Sequence, residues 1–174
     1  TLTVDVAYGG NFYVLVDALE LGVTEFDPTN TAPMVALAHT IRTAVNAQYD
    51  IQHPEISQIR DVTHVLFFLP PLSPGAPTRD MVVMPTGAVD RSPCGTGTTS
   101  KVATLTARGQ LPVGQPFTHI SPIGSTFTGR AVETMTVGDL PACRVAITGS
   151  AYITADSTLF VDHADELSAG FQLS

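Results

Sequence analysis

A lone cysteine lies in the middle of the chain between a proline and two glycines, in the stretch SPCGTG at residues 92–97. Residues 96–108 are predicted to form a helix, and Gly109 behind them is typical of the position that follows a helix C-terminus. Cys94 would then lie at the helix N-terminus, next to backbone N–H groups without a partner inside the helix. Such groups can stabilise a thiolate and can bind a carboxylate or a phosphate. The fold and the function both have to account for this junction.

The rest of the chain predicts many short strands and one further helix. Apolar residues recur at helical spacing over residues 33–48, which predicts an amphipathic helix there. Gly9 and Gly10 indicate a bend or a bulge between the first two strands, and a phosphate cradle is the weaker alternative because no phosphate-loop motif is present. Strands are predicted at residues 2–6, 12–16, 62–69, 81–84, 117–120, 125–137, 144–153 and 160–161. This pattern predicts an α+β fold, in which a curved sheet wraps around a helix.

Composition excludes several functional classes. With 44% apolar residues in 174 and no low-complexity tract, the chain is expected to fold around a core. The net charge of -8 argues against nucleic acid as a partner, and no apolar run approaches the roughly 20 residues of a membrane span. No signal peptide is recognisable, so a cytoplasmic location is expected. Because Thr1 opens directly in a strand-like run, we expect the chain to be part of a longer protein.

Cys94 is the leading candidate for chemistry. The N–H groups of Gly95, Thr96 and Gly97 could bind a substrate carboxylate, since glycine allows the ligand to approach the backbone closely. The alternative is a buried structural cysteine beside a tight turn, and the flanking GTGT favours the functional interpretation. Cys143 alternates with apolar neighbours and is expected to be a core residue. The two cysteines and five histidines show no metal-ligand spacing, so no metal is expected.

Asp90 lies four residues before Cys94 on the predicted approach loop. Its carboxylate could accept a hydrogen bond from a substrate ammonium or imino group. An Asx-turn or a helix-capping role is an equally common use of such an aspartate. The sequence leaves both roles open.

Residues 90–98, which read DRSPCGTGT, resemble the signature of the proline racemase family, which includes hydroxyproline epimerases and hydroxyproline dehydratases. Segments similar to family segments follow the same order elsewhere, at residues 4–13, 53–55, 123–127 and 169–171. The resemblance implies the α+β fold of diaminopimelate epimerase, in which a curved, mostly antiparallel sheet surrounds a central helix. It also implies that residues 1–161 are the second of two domains, and that residues 162–174 are a tail packing back toward the first domain.

The resemblance further implies a racemase or epimerase that inverts the α-carbon of proline or 4-hydroxyproline with two thiols and without cofactor or metal. Carried over to this chain, Cys94 is one acid/base, the backbone N–H groups of Gly95 and Thr96 bind the substrate carboxylate, and Asp90 meets the substrate nitrogen. The family's first cysteine motif does not occur in the chain, and the context of Cys143 does not match it. We therefore expect the isolated chain to be inactive. As a separate expectation, the full-length protein is a homodimer.

Two departures from the family pattern bear on the substrate. Met84 stands where many relatives have a phenylalanine in the pocket wall, and the usual glutamate near Ser121 is missing. The choice between proline and 4-hydroxyproline therefore stays open. Dehydratases of trans-3-hydroxyproline typically carry threonine at the position of Cys94, so the cysteine favours inversion. Two alternatives remain. The protein could be a dehydratase, or, if the chain is complete, a non-catalytic binding domain.

Overall fold

The computed structural model describes residues 1–73 and 75–170, which form one seven-stranded sheet and two α-helices. Helix α1 spans Ala32–Gln48 and helix α2 spans Gly95–Ala107, with a short 3-10 helix at Ala18–Leu21. The strands are β1 (Asp5–Tyr8), β2 (Phe12–Asp17), β3 (His64–Leu69), β4 (Thr78–Val83), β5 (Phe117–Ile120), β6 (Thr126–Val137) and β7 (Leu140–Thr148). They lie side by side in chain order.

The sheet is mixed but mostly antiparallel. The β2–β3 and β4–β5 pairs are parallel, and the other four neighbouring pairs are antiparallel. Helix α2 packs against β1 and β2 near one edge of the sheet and against β6 and β7 near the other. The sheet therefore curls around α2, as the sequence predicted.

Strand β2 shows why the centre of the sheet is apolar on both faces. Val14 and Val16 belong to the core cluster that includes α1, whereas Tyr13 and Leu15 belong to the cluster that reaches Cys94. Successive side chains of a strand point to opposite faces, so a strand covered on both sides is buried along its length. Tyr13 thereby faces the start of α2.

Helix α1 covers the outer face of the sheet. Its proline lies in the first turn, where the missing N–H removes no helical hydrogen bond. Met34, Ala38, Ile41 and Val45 form its buried stripe and pack against β3 and β4. The predicted helix at residues 33–48 is confirmed to within one residue.

Several predicted strand limits were wrong. Strand β4 begins at Thr78, three residues before the predicted start, and β7 runs from Leu140 to Thr148 rather than over residues 144–153. Pro141 lies inside β7, where it pairs with Thr136. An edge strand tolerates proline because one side of its backbone needs no ladder hydrogen bond.

The end of the described chain contains no strand at residues 160–161, which corrects that prediction. Residues 149–170 are exposed, including large apolar side chains such as Tyr152, Ile153 and Phe160. Residues 171–174 lie outside the described part. They include the end of the predicted tail at residues 162–174, and Phe171 of the resemblance at residues 169–171. Over the described residues, no helix combines the length and the apolar character that a membrane crossing requires.

Candidate functional site

The loop that carries Cys94 is fixed by a relay of short hydrogen bonds. The backbone N–H of Asp90 donates to the carbonyl of Val82 on β4 at 3.0 Å. Asp90 Oδ1 accepts from the N–H of Ser92 at 2.8 Å and from its hydroxyl at 3.0 Å. Ser92 Oγ in turn accepts from the N–H of Cys94 at 3.0 Å. Asp90 therefore forms the Asx-turn that the sequence allowed, and its contact with a substrate nitrogen stays a prediction.

Cys94 has an unusual backbone conformation. It is the N-cap residue of α2, with φ 63° and ψ 117°, and its carbonyl accepts the helical hydrogen bond of Thr98 at 2.8 Å. Positive φ is strained for a residue with a Cβ, by about 1–3 kcal/mol. The hydrogen bonds of the approach loop compensate for this strain and direct the half-buried side chain.

The glycines after Cys94 serve two different purposes. A Cβ added to Gly95 would meet no atom within 4 Å, whereas one added to Gly97 would lie 3.0 Å from Leu66 on β3. Gly97 thus allows α2 to pack closely on the sheet. The N–H groups of Gly95 and Thr96 precede the first N–H that donates within the helix, and Gly95 leaves the approach to them open. These two groups are the ones suited to an anion.

Tyr13 is a site residue that the sequence analysis missed. Its hydroxyl lies 3.2 Å from Cys94 Sγ and 2.7 Å from Thr96 Oγ1, and the side chain is fully buried. Burial, and then the neighbouring Cys94, raise the pKa of the Tyr13 phenol far above its usual range. The ring lies 4.9 Å from that of His64, its register partner on β3. Residue 13 lies in a segment that resembles the family, but no local pattern marks it.

A buried polar network of side chains contacts the loop that carries Cys94. Thr98 Oγ1 donates to the carbonyl of Pro93 at 3.2 Å and lies 3.1 Å from His119 Nδ1. Because the single hydroxyl proton goes to Pro93, Nδ1–H of His119 must donate to Thr98, which assigns the tautomer. Burial lowers the pKa of His119 to about 3, so this ring is uncharged at neutral pH. Burial also raises the pKa of Asp80, whose Oδ2 lies 3.7 Å from His119 Nδ1.

The second cysteine lies far from the first. Cys143 on β7 is half-buried and packs against a cluster that includes Val102 of α2, in agreement with the predicted core position. Burial raises the pKa of its thiol, and the neighbouring Thr106 side chain lowers it by less. At 1.5 Å per helical residue, Thr106 is about 18 Å along α2 from Cys94. The two thiols therefore cannot contact the same carbon atom.

The described part of the structure has two cavities that Cys94 does not line. The larger, of about 540 Å³, lies between β1, α2 and β7 and includes Cys143. The smaller, of about 190 Å³, is lined by the predicted wall residue Met84 together with His39 and Arg42. Asp90, Cys94, Gly95 and Thr96 thus come together in the loop and the first turn of α2, whereas Met84 lies beside α1, and its role as a pocket wall stays a prediction.

Comparison with known proteins links this arrangement to one family. A family profile described as Proline racemase matches residues 1–172. The proline racemase of Clostridioides difficile is 40% identical over 173 residues, which are 99% of this chain and 51% of that protein. The 4-hydroxyproline epimerase of Brucella ovis is 39% identical over 173 residues, or 99% of this chain and 52% of that protein. The chain spans about half the length of the curated relatives it matches.

Solved structures show the same fold. A hydroxyproline epimerase from Agrobacterium vitis, with bound trans-4-hydroxy-L-proline, matches with a TM-score of 0.81 and 37% identity over 99% of this chain and 49% of that chain. A probable proline racemase from Agrobacterium radiobacter K84, with bound carbonate, matches with a TM-score of 0.81 and 35% identity over 99% of this chain and 50% of that chain. The predicted α+β, diaminopimelate-epimerase-like fold class is confirmed.

Proposed function

The chain belongs to the proline racemase family, and from that membership we propose that the full-length protein inverts the α-carbon of proline or 4-hydroxyproline. The observation that carries the proposal is the thiol of Cys94 at the start of α2, next to the N–H groups of Gly95 and Thr96, which precede the first donor of the helix. One site can thereby bind a carboxylate and exchange a proton at the neighbouring carbon.

The chemistry requires both functions because the α-proton of an amino acid is weakly acidic. Its removal needs a base in contact with the proton and stabilisation of the carboxylate that takes up negative charge. In the proposed reaction, Cys94 removes or delivers the proton on one face, and a second acid/base group delivers or removes one on the other. One C–H bond breaks and another forms, so no net oxidation occurs.

We assign the second acid/base group to the half of the relatives' length that this chain does not span. Cys143 is unsuited because it packs near the other end of α2. The chain on its own would therefore bind a proline-like carboxylate without inverting it. We also assign to Asp90 the contact with the substrate nitrogen. Both hydrogen bonds from Ser92 go to Oδ1, which leaves Oδ2 for this contact.

Replacing Cys94 tests the proposal. The variant Cys94→Ser in the full-length protein should lower the rate of inversion by at least about 100-fold, the low end of the contribution of a general acid/base. The measurement is the change in optical rotation of L-proline and of trans-4-hydroxy-L-proline, with α-deuterium incorporation from D₂O. Cys143→Ser is the matched control and should keep the activity.

Unchanged inversion in Cys94→Ser would refute the proposal. Incubation of the unmodified protein with trans-3-hydroxyproline tests the dehydratase alternative. A pyrroline product without inversion of the other two substrates would assign the protein to the lyases.

A further inference from the structure

We infer that Tyr13 is a positioning residue for Cys94, whose buried phenol donates a hydrogen bond to the thiolate form of that side chain. The inference rests on the proposed function of Cys94 as an acid/base and deepens it. Tyr13 would act through Cys94 and not on the substrate, so it extends the site by a residue 81 positions away in the chain.

The geometry gives the phenol two partners. Tyr13 Oη lies 3.2 Å from Cys94 Sγ and 2.7 Å from Thr96 Oγ1, while Sγ and Oγ1 are 3.6 Å apart. A thiolate can only accept hydrogen bonds, and of these two hydroxyls the phenol is the closer donor to the sulfur. If the hydroxyl of Thr96 donates to Tyr13 Oη, the phenol proton is free to donate to Cys94.

The phenol is fixed before any substrate arrives. Tyr13 is fully buried on β2, and the ring of His64 on β3 packs at 4.9 Å and an interplanar angle of 31°. Because the side chain is already ordered, it gives the thiolate a donor without a further loss of rotamer freedom. Burial also raises the pKa of the phenol, which therefore keeps its proton over the pH range in which a thiol titrates.

The other titratable groups around this pair do not replace the phenol. Asp90 on the approach loop accepts both hydrogen bonds from Ser92 at Oδ1. Burial lowers the pKa of His64, whose Nδ1 lies 2.7 Å from the Thr63 hydroxyl. Burial raises the pKa of Asp80 on β4, which lies on the His119 side of the network. The donor to the sulfur is therefore Tyr13.

The hydrogen bond has a consequence for proton transfer. A donor interacts more strongly with a charged acceptor than with a neutral one, so the phenol favours the thiolate over the thiol. Removing it should leave the fold in place and move the thiol–thiolate balance of Cys94 toward the thiol. A merely structural tyrosine would leave that balance unchanged.

The test measures the balance directly by alkylation of the full-length protein with iodoacetamide between pH 6 and 10. Trypsin cleaves after Arg91 and Lys101, so the peptide 92–101 reports Cys94 alone, and the peptide 131–144 reports Cys143 as an internal standard. In Tyr13→Phe the midpoint of the Cys94 profile should rise by about one pH unit, and the rate below the midpoint should fall about tenfold. Tyr49→Phe, at an exposed tyrosine of α1's C-cap, should leave the profile unchanged.

A second variant tests the direction of the hydrogen bonds and does not depend on the folding of Tyr13→Phe. Thr96→Val keeps the side-chain shape and the backbone N–H but removes the hydroxyl that donates to the phenol. An upward shift of the Cys94 midpoint that is smaller than in Tyr13→Phe supports the arrangement in which Thr96 donates to Tyr13 and Tyr13 donates to Cys94. A downward shift, or none, overturns it, since the phenol would then have been donating to Thr96.

The inference and the proposed function fail in different ways. An unshifted profile in folded Tyr13→Phe overturns the role of Tyr13, even if Cys94→Ser has lost inversion. A shifted profile in a protein that inverts neither substrate establishes the hydrogen bond and refutes the proposed function instead.

Discussion

At Cys94, the proposed function and the stability of the fold impose opposite requirements on one residue. The thiol needs a side chain, but φ of 63° is a value at which a Cβ is disfavoured. We expect Cys94→Gly to be more stable than Cys94→Ala by about 1 kcal/mol, since both lack the thiol and only glycine relieves the strain. Urea unfolding of the two variants measures the difference. In the interior of α2 the order should reverse, with Ala103→Gly costing about 1 kcal/mol.

The residues of the candidate site divide into those whose proximity could be predicted from the sequence and those whose proximity could not. Asp90, Cys94, Gly95 and Thr96 were predictable because a loop, a cap and a helix start are local, and their order in the chain is their order in space. Tyr13 contacts Cys94 only because β2 passes beneath α2 in a particular register. A register depends on the packing of the whole sheet, which no single segment specifies.

At the scale of secondary-structure elements, α2 and the turn between β1 and β2 approach each other closely. A Cβ added to Gly9 would lie 2.2 Å from the carbonyl oxygen of Thr96 and 2.6 Å from Ser100 Oγ. Gly9→Ala should therefore destabilise the protein by about 1–3 kcal/mol, the range for overpacking, because the turn has to move away from the first turn of α2. Thermal unfolding followed by circular dichroism gives the loss.

Gly109→Ala separates the clash from backbone strain. Gly109 has φ 67° but open space around it, so its substitution should cost only about 1 kcal/mol. If Gly9→Ala cost no more than Gly109→Ala, the close contact with α2 would not be a determinant of stability.

The elements also differ in how well the sequence defines them. The limits of both helices followed from apolar spacing, a proline near the start and Gly109 at the end. The limits of β4 and β7 did not, because a strand ends where its neighbour stops pairing with it. Arg79 pairs with Leu69 of β3 and with Ile120 of β5, whereas Thr78 extends β4 through its pairing with His119 of β5.

Over the whole molecule, the space between α2 and the sheet contains ionisable groups whose uncharged forms are favoured by burial. Burial lowers the pKa of His119 to about 3 and raises that of Asp80, and Lys101 lies over the ring of Phe68 with its Nζ 3.0 Å from the centroid. Cation–π contact and the charges of Asp5 and Asp17 favour the ammonium form. Burial outweighs them and lowers the pKa of Lys101 from 10.5 to about 8.

This lysine should make stability increase with pH in the alkaline range. Between pH 8 and 10.5 the unfolded chain retains a proton on Lys101 that the folded chain has released, so raising the pH favours the folded state. Relative to Lys101→Met, the free energy of unfolding of the unmodified protein should rise by about 2 kcal/mol from pH 7.5 to 9.5. Urea titrations of both proteins at these two pH values give the difference, in which the contributions of Tyr13 and Cys143 cancel. A difference that is the same at both pH values would show that Lys101 titrates alike in the folded and unfolded chains.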